Sequence, residues 1–205
     1  MNFKNYVVIN LSIALILSIC TAFLGFNNIT LKIHNLYSLQ LDYYFKNYTI
    51  WAEWPVIVLG IFLMIRFSWR KGLWFSIVFG IESLFVQFIK FQLNFPRPVE
   101  KFGSSIRHID GEVLKHFQGF PSGHTSAAFF ATGMIILSLP KHKLQNITLF
   151  AIIISAFLIG YSRIYLGQHS IEDTLAGCII ANIFFYLAGI TYPSVEKKFF
   201  NKKHI

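Results

Sequence analysis

The chain has 205 residues, of which 55% are hydrophobic, 18% aromatic and only 13% charged. A soluble domain carries about 25% charged residues, so the composition excludes a disordered chain and argues against an ordinary cytosolic enzyme. The 18 Lys and Arg against 9 Asp and Glu leave a net charge of +9; on so apolar a background this points to membrane lipids and cytoplasmic-side anchoring as partners, with no nucleic acid.

Six apolar runs follow one another. The first, residues 6–26, is uncharged and preceded by Lys4. It is longer than a signal-peptide core and lacks a small-x-small cleavage site, so it reads as an uncleaved anchor. Residues 27–49 place Leu31, Ile33, Leu36, Leu39, Leu41 and Tyr44 among polar residues, which fits either an interfacial amphipathic helix or an ordered loop packed on the bundle. The second run, residues 50–65, has Glu53 near its outer end and Pro55 in its first turns. The third, residues 73–95, contains Glu82 and Lys90; Glu82, in mid-run, needs a hydrogen-bonding partner on a neighbouring helix. The fourth, residues 123–139, stops at Pro140, the fifth covers residues 147–161, and the sixth, residues 171–192, stops at Pro193.

A span needs about 20 apolar residues, and lipid offers no partner to an open strand edge. The expectation is a single all-α domain over residues 1–205, an integral membrane bundle of six transmembrane helices. Cys20 and Cys178 lie in apolar runs without a CxxC pair and read as filler. Asn28, Asn47 and Asn146 each open an Asn-x-Thr sequence, on both predicted sides of the membrane, and read as chance.

Six helices put Lys4, Arg66, Arg70, Lys71, Lys141, Lys143, Lys197, Lys198, Lys202 and Lys203 on one side, with Glu196 as the only acid among them. By the positive-inside rule that side is cytoplasmic. The protein is then expected in the cytoplasmic (inner) membrane, multi-pass, with both termini cytoplasmic.

Three polar clusters interrupt the apolar pattern, all at the opposite, extracytoplasmic ends of helices. The first holds Lys90 and, seven residues on, Arg97 between Pro96 and Pro98. Lysine inside an apolar run is costly and suggests function, although snorkelling to the interface is the plainer reading. The second is Pro121-Ser122-Gly123-His124. Ser122 is a good N-cap, Gly123 permits close approach, and Thr125 rather than an acid stands at the capping-box position, so free amides here suit an anion; a mere helix start is the alternative. The third runs from Ser162-Arg163 to His169 and Asp173. His169 and Asp173, four apart, share a helical face, so the carboxylate can fix one imidazole nitrogen and free the other to attack. Alternatively Ser170 and Asp173 form a capping box.

Together these residues form a kit for phosphoryl transfer, in which catalysis is mainly positioning and stabilisation of charge on the phosphoryl oxygens. His169 is the better nucleophile; His124, beside the anion hole, suits protonation of the leaving oxygen. No Asp-rich cluster or His-x-His spacing suggests a metal, and no cofactor is expected.

The pattern Lys90…Arg97-Pro98, Pro121-Ser122-Gly123-His124 and Ser162-Arg163…His169…Asp173 resembles the type 2 phosphatidic acid phosphatase (PAP2) superfamily, in its bacterial membrane lipid-phosphatase branch. The resemblance implies a PAP2/haloperoxidase-like core and a metal-independent phosphatase acting through a phosphohistidine on His169. It implies His124 as general acid, Asp173 as the orienter of His169, and Lys90, Arg97, Ser122, Gly123 and Arg163 as phosphate binders. Implied substrates are lipid phosphates such as undecaprenyl pyrophosphate, lipid A, phosphatidylglycerophosphate or phosphatidic acid, with vanadate as an inhibitor. A lipid phosphotransferase using the same histidine is the alternative; a non-catalytic lipid-phosphate binder or transporter would be expected to have lost His169, His124 or Asp173. Residues 99–120, with Glu100, Lys101, Arg107, His108, Asp110, Glu112, Lys115 and His116, read as a head-group-selecting cap or a solvated loop. His34, His142 and His204 are expected to be solvated.

Overall fold

A computed structural model describes residues 2–36, 38–51, 54–139 and 145–200. Glu53, Pro140, Lys141, His142, Lys143, Lys202, Lys203 and His204, about which the sequence raised expectations, lie outside those residues. All regular structure among the described residues is helical: α1 (Phe3–Leu24), α2 (Phe26–His34), α3 (Leu39–Trp51), α4 (Pro55–Phe67), α5 (Trp69–Leu93), the short α6 (Pro98–Phe102), α7 (Gly123–Ser138), α8 (Gln145–Tyr165) and α9 (Ile171–Val195).

The helices begin and end where local chemistry directs. The Asn2 side chain caps α1, Pro55 opens the first turn of α4, and Asn94 closes α5 in the left-handed region. Pro193 does not stop the sixth predicted helix. It sits in the last turn of α9, and the amide of Glu196 bonds back to the carbonyls of Tyr192 and Pro193.

The six-span expectation is corrected in number. Among the described residues, α1, α5, α8 and α9 are long and apolar enough to cross a bilayer, and α3 with α4 adds a fifth span if that bent pair is one. The fourth predicted span, α7, has only 16 residues, roughly 24 Å against a hydrocarbon layer of about 30 Å. It is instead the central helix, buried along nearly its whole length between α4, α5, α8 and α9. Such all-round burial is how a helix apolar on every face stays out of lipid. The outer helices meet lipid on one side: α1 buries Tyr6, Asn10 and Ala14 against the bundle and exposes Val8, Leu15, Ile16 and Phe23. Asn10 donates to Asn182 of α9 at 3.1 Å, a polar tie inside the apolar layer. Cys20 and Cys178 are both free thiols.

The bundle has two chemically distinct ends. At one, the Phe3 ring lies 5.8 Å from Tyr186 and Lys71 Nζ lies 5.4 Å from the Tyr192 ring, which gathers the start of α1, the start of α5 and the end of α9. At the other, the last turns of α5 and α8 meet the first turns of α7 and α9.

Residues 27–49 pack on the bundle, as the second reading offered for them expects, but do so as helices rather than a loop. They form the short helices α2 and α3, and these pack on α8. His34, expected in solvent, is fully buried there. Its Nδ1 bonds the Tyr165 carbonyl (2.8 Å) and its Nε2 accepts from the Arg107 amide (2.9 Å), which defines the neutral Nδ1-protonated tautomer. The Arg107 guanidinium grips Asp42 in a bidentate pair (2.8 and 2.7 Å), and the Tyr165 hydroxyl donates to the same carboxylate (2.6 Å). This clamp ties α2, α3 and the 99–120 segment to the end of α8.

Burial holds the His34 imidazole below its ordinary range, and the neighbouring Arg107 cation adds to this against the Tyr165 carbonyl. The unfolded chain therefore takes the proton first, so the stability held here is complete above about pH 6.5 and is lost as pH falls below it. The unfolding temperature in detergent is expected to drop more steeply from about pH 7 to 5 in the wild type than in His34→Gln; parallel curves would refute this.

Candidate functional site

The site starts on one face of α5, where Glu82, Val86 and Lys90 recur every fourth residue and are all buried. Asn94 then breaks the helix, and Arg97, between two prolines, is extended (φ −84°, ψ 169°). The returning chain pairs with this stretch: the Arg97 amide donates to the His116 carbonyl (2.7 Å) and the Gly119 amide to the Phe95 carbonyl (2.9 Å). The Arg97 guanidinium donates to the carbonyls of Phe117 (2.9 Å), Gln168 (2.8 Å) and Gln118 (3.4 Å), while Lys90 Nζ donates to Gln118 (2.9 Å). Gln118 has φ 60°, a conformation rare outside glycine; its carbonyl receiving two cations gives a reason for that strain. The 99–120 segment thus reaches the site through the Lys115 side chain, which lines it, and through the backbone of residues 116–118, which holds the cations. Backbone carbonyls carry no sequence signal, so composition could not have found them.

At the start of α7, the Ser122 side chain accepts the Thr125 amide (3.4 Å) and contacts the Thr125 hydroxyl (2.9 Å). The Ser122 amide, expected free for an anion, instead donates to the Asp173 carbonyl (2.9 Å). This is a correction with a packing cause: α9 lies directly on the start of α7. Gly177 permits it, since a Cβ there would stand 2.5 Å from the Ser122 carbonyl. Glycine at 177 was not among the residues the sequence singled out, although a lone glycine in an apolar helix is a signal for close approach.

His169 is buried between α8 and α9, its amide held by the Arg163 carbonyl (3.1 Å). Its Nδ1 lies 3.5 Å from Asp173 Oδ2, which also accepts the Ser170 amide (2.8 Å). Asp173 therefore completes the capping box, and its carboxylate stands near the imidazole without a hydrogen bond to Nδ1. Arg163, also buried, donates to the Thr49 hydroxyl (3.0 Å). Burial first, then Arg97, Lys90, Arg163 and His124, push the His169 imidazole well below its usual range, so it is neutral with a lone pair available.

Lys90, Arg97, Gly123, His124 and His169 line one cavity of about 350 Å³, joined by Lys115, Gln118 and Ser126. Ser122, Arg163 and Asp173 stand behind its wall. Among the described residues no three His, Cys, Asp or Glu side chains assemble as a metal's donor set.

The model of the PAP2 superfamily matches residues 71–198, which contain all three clusters. The chain belongs to the PAP2 superfamily. Phosphatidylglycerophosphatase B of Bacillus subtilis is 31% identical over 143 residues, 65% of this chain and 64% of that relative. Undecaprenyl-diphosphatase BcrC of the same organism is 26% identical over 80% of this chain and 81% of its own. The crystal structure of the first transmembrane PAP2-type phosphatidylglycerolphosphate phosphatase from Bacillus subtilis superposes with a TM-score of 0.65 at 22% identity, covering 96% of this chain and 98% of that one, which supports the fold. In this PAP2 protein, as in that neighbour by its title, the helices are those of a multi-pass membrane protein.

Because Gly177 sets how closely α9 approaches the Pro-Ser-Gly-His turn, Gly177→Val is expected to cost about 1–3 kcal/mol through overpacking. A lowered unfolding temperature in detergent is the readout, and an unchanged one would refute the contact.

Proposed function

We propose that this PAP2 protein is a lipid phosphatase that releases phosphate from a lipid monoester or pyrophosphate without a metal, through a phosphohistidine on His169. One observation carries the reading: a neutral, buried imidazole at His169 shares a cavity with His124 and with the cations Lys90, Arg97 and Lys115. The printed names of the relatives, a phosphatidylglycerophosphatase and an undecaprenyl-diphosphatase, point the same way.

The phosphate dianion enters between Lys90 and Arg97, with Arg163 adding positive field from behind, and negative charge on its equatorial oxygens is met by these fixed cations. The amides at Gly123 and the turn capped by Ser122 shape the anion end of the cavity. Since Nδ1 of His169 faces Asp173, the attacking atom is Nε2. The N–P bond forms as the P–O bond to the lipid breaks, and His124 gives its proton to the departing oxygen. The phosphorylated imidazole is then cationic, and the Asp173 carboxylate 3.5 Å away stabilises it. Water attacks phosphorus, yields its proton to His124, and His169 is restored as phosphate leaves.

The reading places the protein in the cytoplasmic membrane with the cavity on the extracytoplasmic face, where the head groups of undecaprenyl pyrophosphate, phosphatidylglycerophosphate, lipid A or phosphatidic acid present their phosphates. Lys4 on α1 and Lys71 on α5 lie at the opposite end of the bundle, and Lys197 follows just after α9, in keeping with the positive-inside rule.

His169→Ala is expected to abolish phosphate release from this lipid panel while the protein still folds; near-full activity would defeat the mechanism. For His124→Ala the expected loss is about a hundredfold on lipid phosphates and much smaller on aryl phosphates, whose leaving groups need no proton. Equal losses would speak against a general acid. Both assays run in excess EDTA, where the wild-type rate should persist.

A further inference from the structure

Glu82 has no part in the steps above, yet it is a fully buried carboxyl in the middle of a spanning helix, where an ionisable group is expensive and points to function. Its surroundings suggest one. Glu82, Val86 and Lys90 line the catalytic cavity along one face of α5, and α7 answers with Gly123, His124, Ser126 and Ala127. The two helices form the walls of a groove. At its top Lys90 Cε lies 3.8 Å from where a Cβ on Gly123 would stand, and at its bottom the Ser126 hydroxyl donates to Glu82. Eight residues of helix separate Lys90 from Glu82, roughly 12 Å. Ser83 and Gln87 also line this stretch, beside the apolar Trp54, Ile57 and Val86, so the floor below the phosphate site carries polar groups set among apolar ones.

Resting on the phosphatase reading, the direction of the reaction tells what lies there. In-line displacement puts the leaving oxygen opposite His169, on the side of His124, and the groove continues from His124 to Ser126 and Glu82. It therefore receives the leaving alcohol. A bare isoprenoid or acyl chain attached directly to the phosphate would bury the carboxyl and amide groups of the floor against hydrocarbon, at a cost. A leaving alcohol with hydroxyl or amide N–H groups would satisfy them. We infer that Glu82 is a specificity-determining residue, and that the groove accepts lipids in which a sugar or similarly hydroxylated unit separates the reacting phosphate from the tail.

The test compares two primary phosphomonoesters: an alkyl glucoside phosphorylated at its primary hydroxyl, and an alkyl phosphate of similar overall length. The wild type should favour the glucoside by about tenfold or more in kcat/KM. Glu82→Leu should depress the glucoside about tenfold more than the alkyl phosphate. Glu82→Gln, which keeps the length of the side chain and a bond to Ser126, should move the preference the same way by a smaller factor, and it decides the matter if the leucine variant does not fold. Equal use of the two substrates by the wild type, or proportional losses on both in the variants, overturns the role of Glu82 while leaving the phosphatase standing. No phosphate release from either by the wild type overturns both.

Discussion

Three cationic side chains buried at one end of the bundle repel one another across a medium of low dielectric. Lys90, Arg97 and Arg163 are each 7% exposed, and their bonds include the carbonyls of Phe117, Gln118 and Gln168 and the Thr49 hydroxyl. Those acceptors are neutral. They orient the cations, and the Asp173 carboxylate, beside His169, offsets part of the charge at Lys90 and Arg97. The positive field left over does two things. Added to burial, which is the larger cause, it keeps the proton off the His169 imidazole, and it favours an anion in the cavity. In the proposed reaction the same electrostatics would prepare both the nucleophile and the phosphate site.

Such a field needs a rigid frame, because carbonyl dipoles help only while they stay aimed. The frame is built from tight helix contacts and from polar ties away from the chemistry. Gly177 lets α9 rest on the Ser122 carbonyl. The His34–Arg107–Asp42–Tyr165 clamp holds the 99–120 segment to the end of α8, just before Gln168 and His169, so the segment that aims carbonyls at Arg97 is itself fastened.

Placing α7 at the centre gives the cavity its depth. Too short to span by itself and buried on every side, this helix brings His124, Ser126 and Ala127 against the Glu82–Lys90 face of α5. The result is a groove that begins at Lys90 and Arg97 and runs between α5 and α7 to Glu82 and Ser126.

Much of this was legible before folding. The apolar runs prescribed an all-helical membrane protein; Lys90 declared itself as a cation inside an apolar run, and Arg97, His124, Arg163, His169 and Asp173 as polar clusters at helix ends. Counting spans failed at α7, since a run of apolar residues looks the same whether lipid or protein surrounds it. His34 was misjudged for the converse reason: a histidine between short helices carries no mark of the partners that will bury it.

Residue chemistry and the helical class belong to the sequence by itself, for both depend on side chains and their local spacing. Tertiary structure alone decided which carbonyls hold Arg97 and Lys90, that the Ser122 amide is taken by Asp173, and that Glu82 faces the cavity. The physical reason is common to all three. Every residue carries the same backbone donor and acceptor, and a helix face has no meaning until a neighbour packs on it, so these choices follow from the path by which distant segments return to one another.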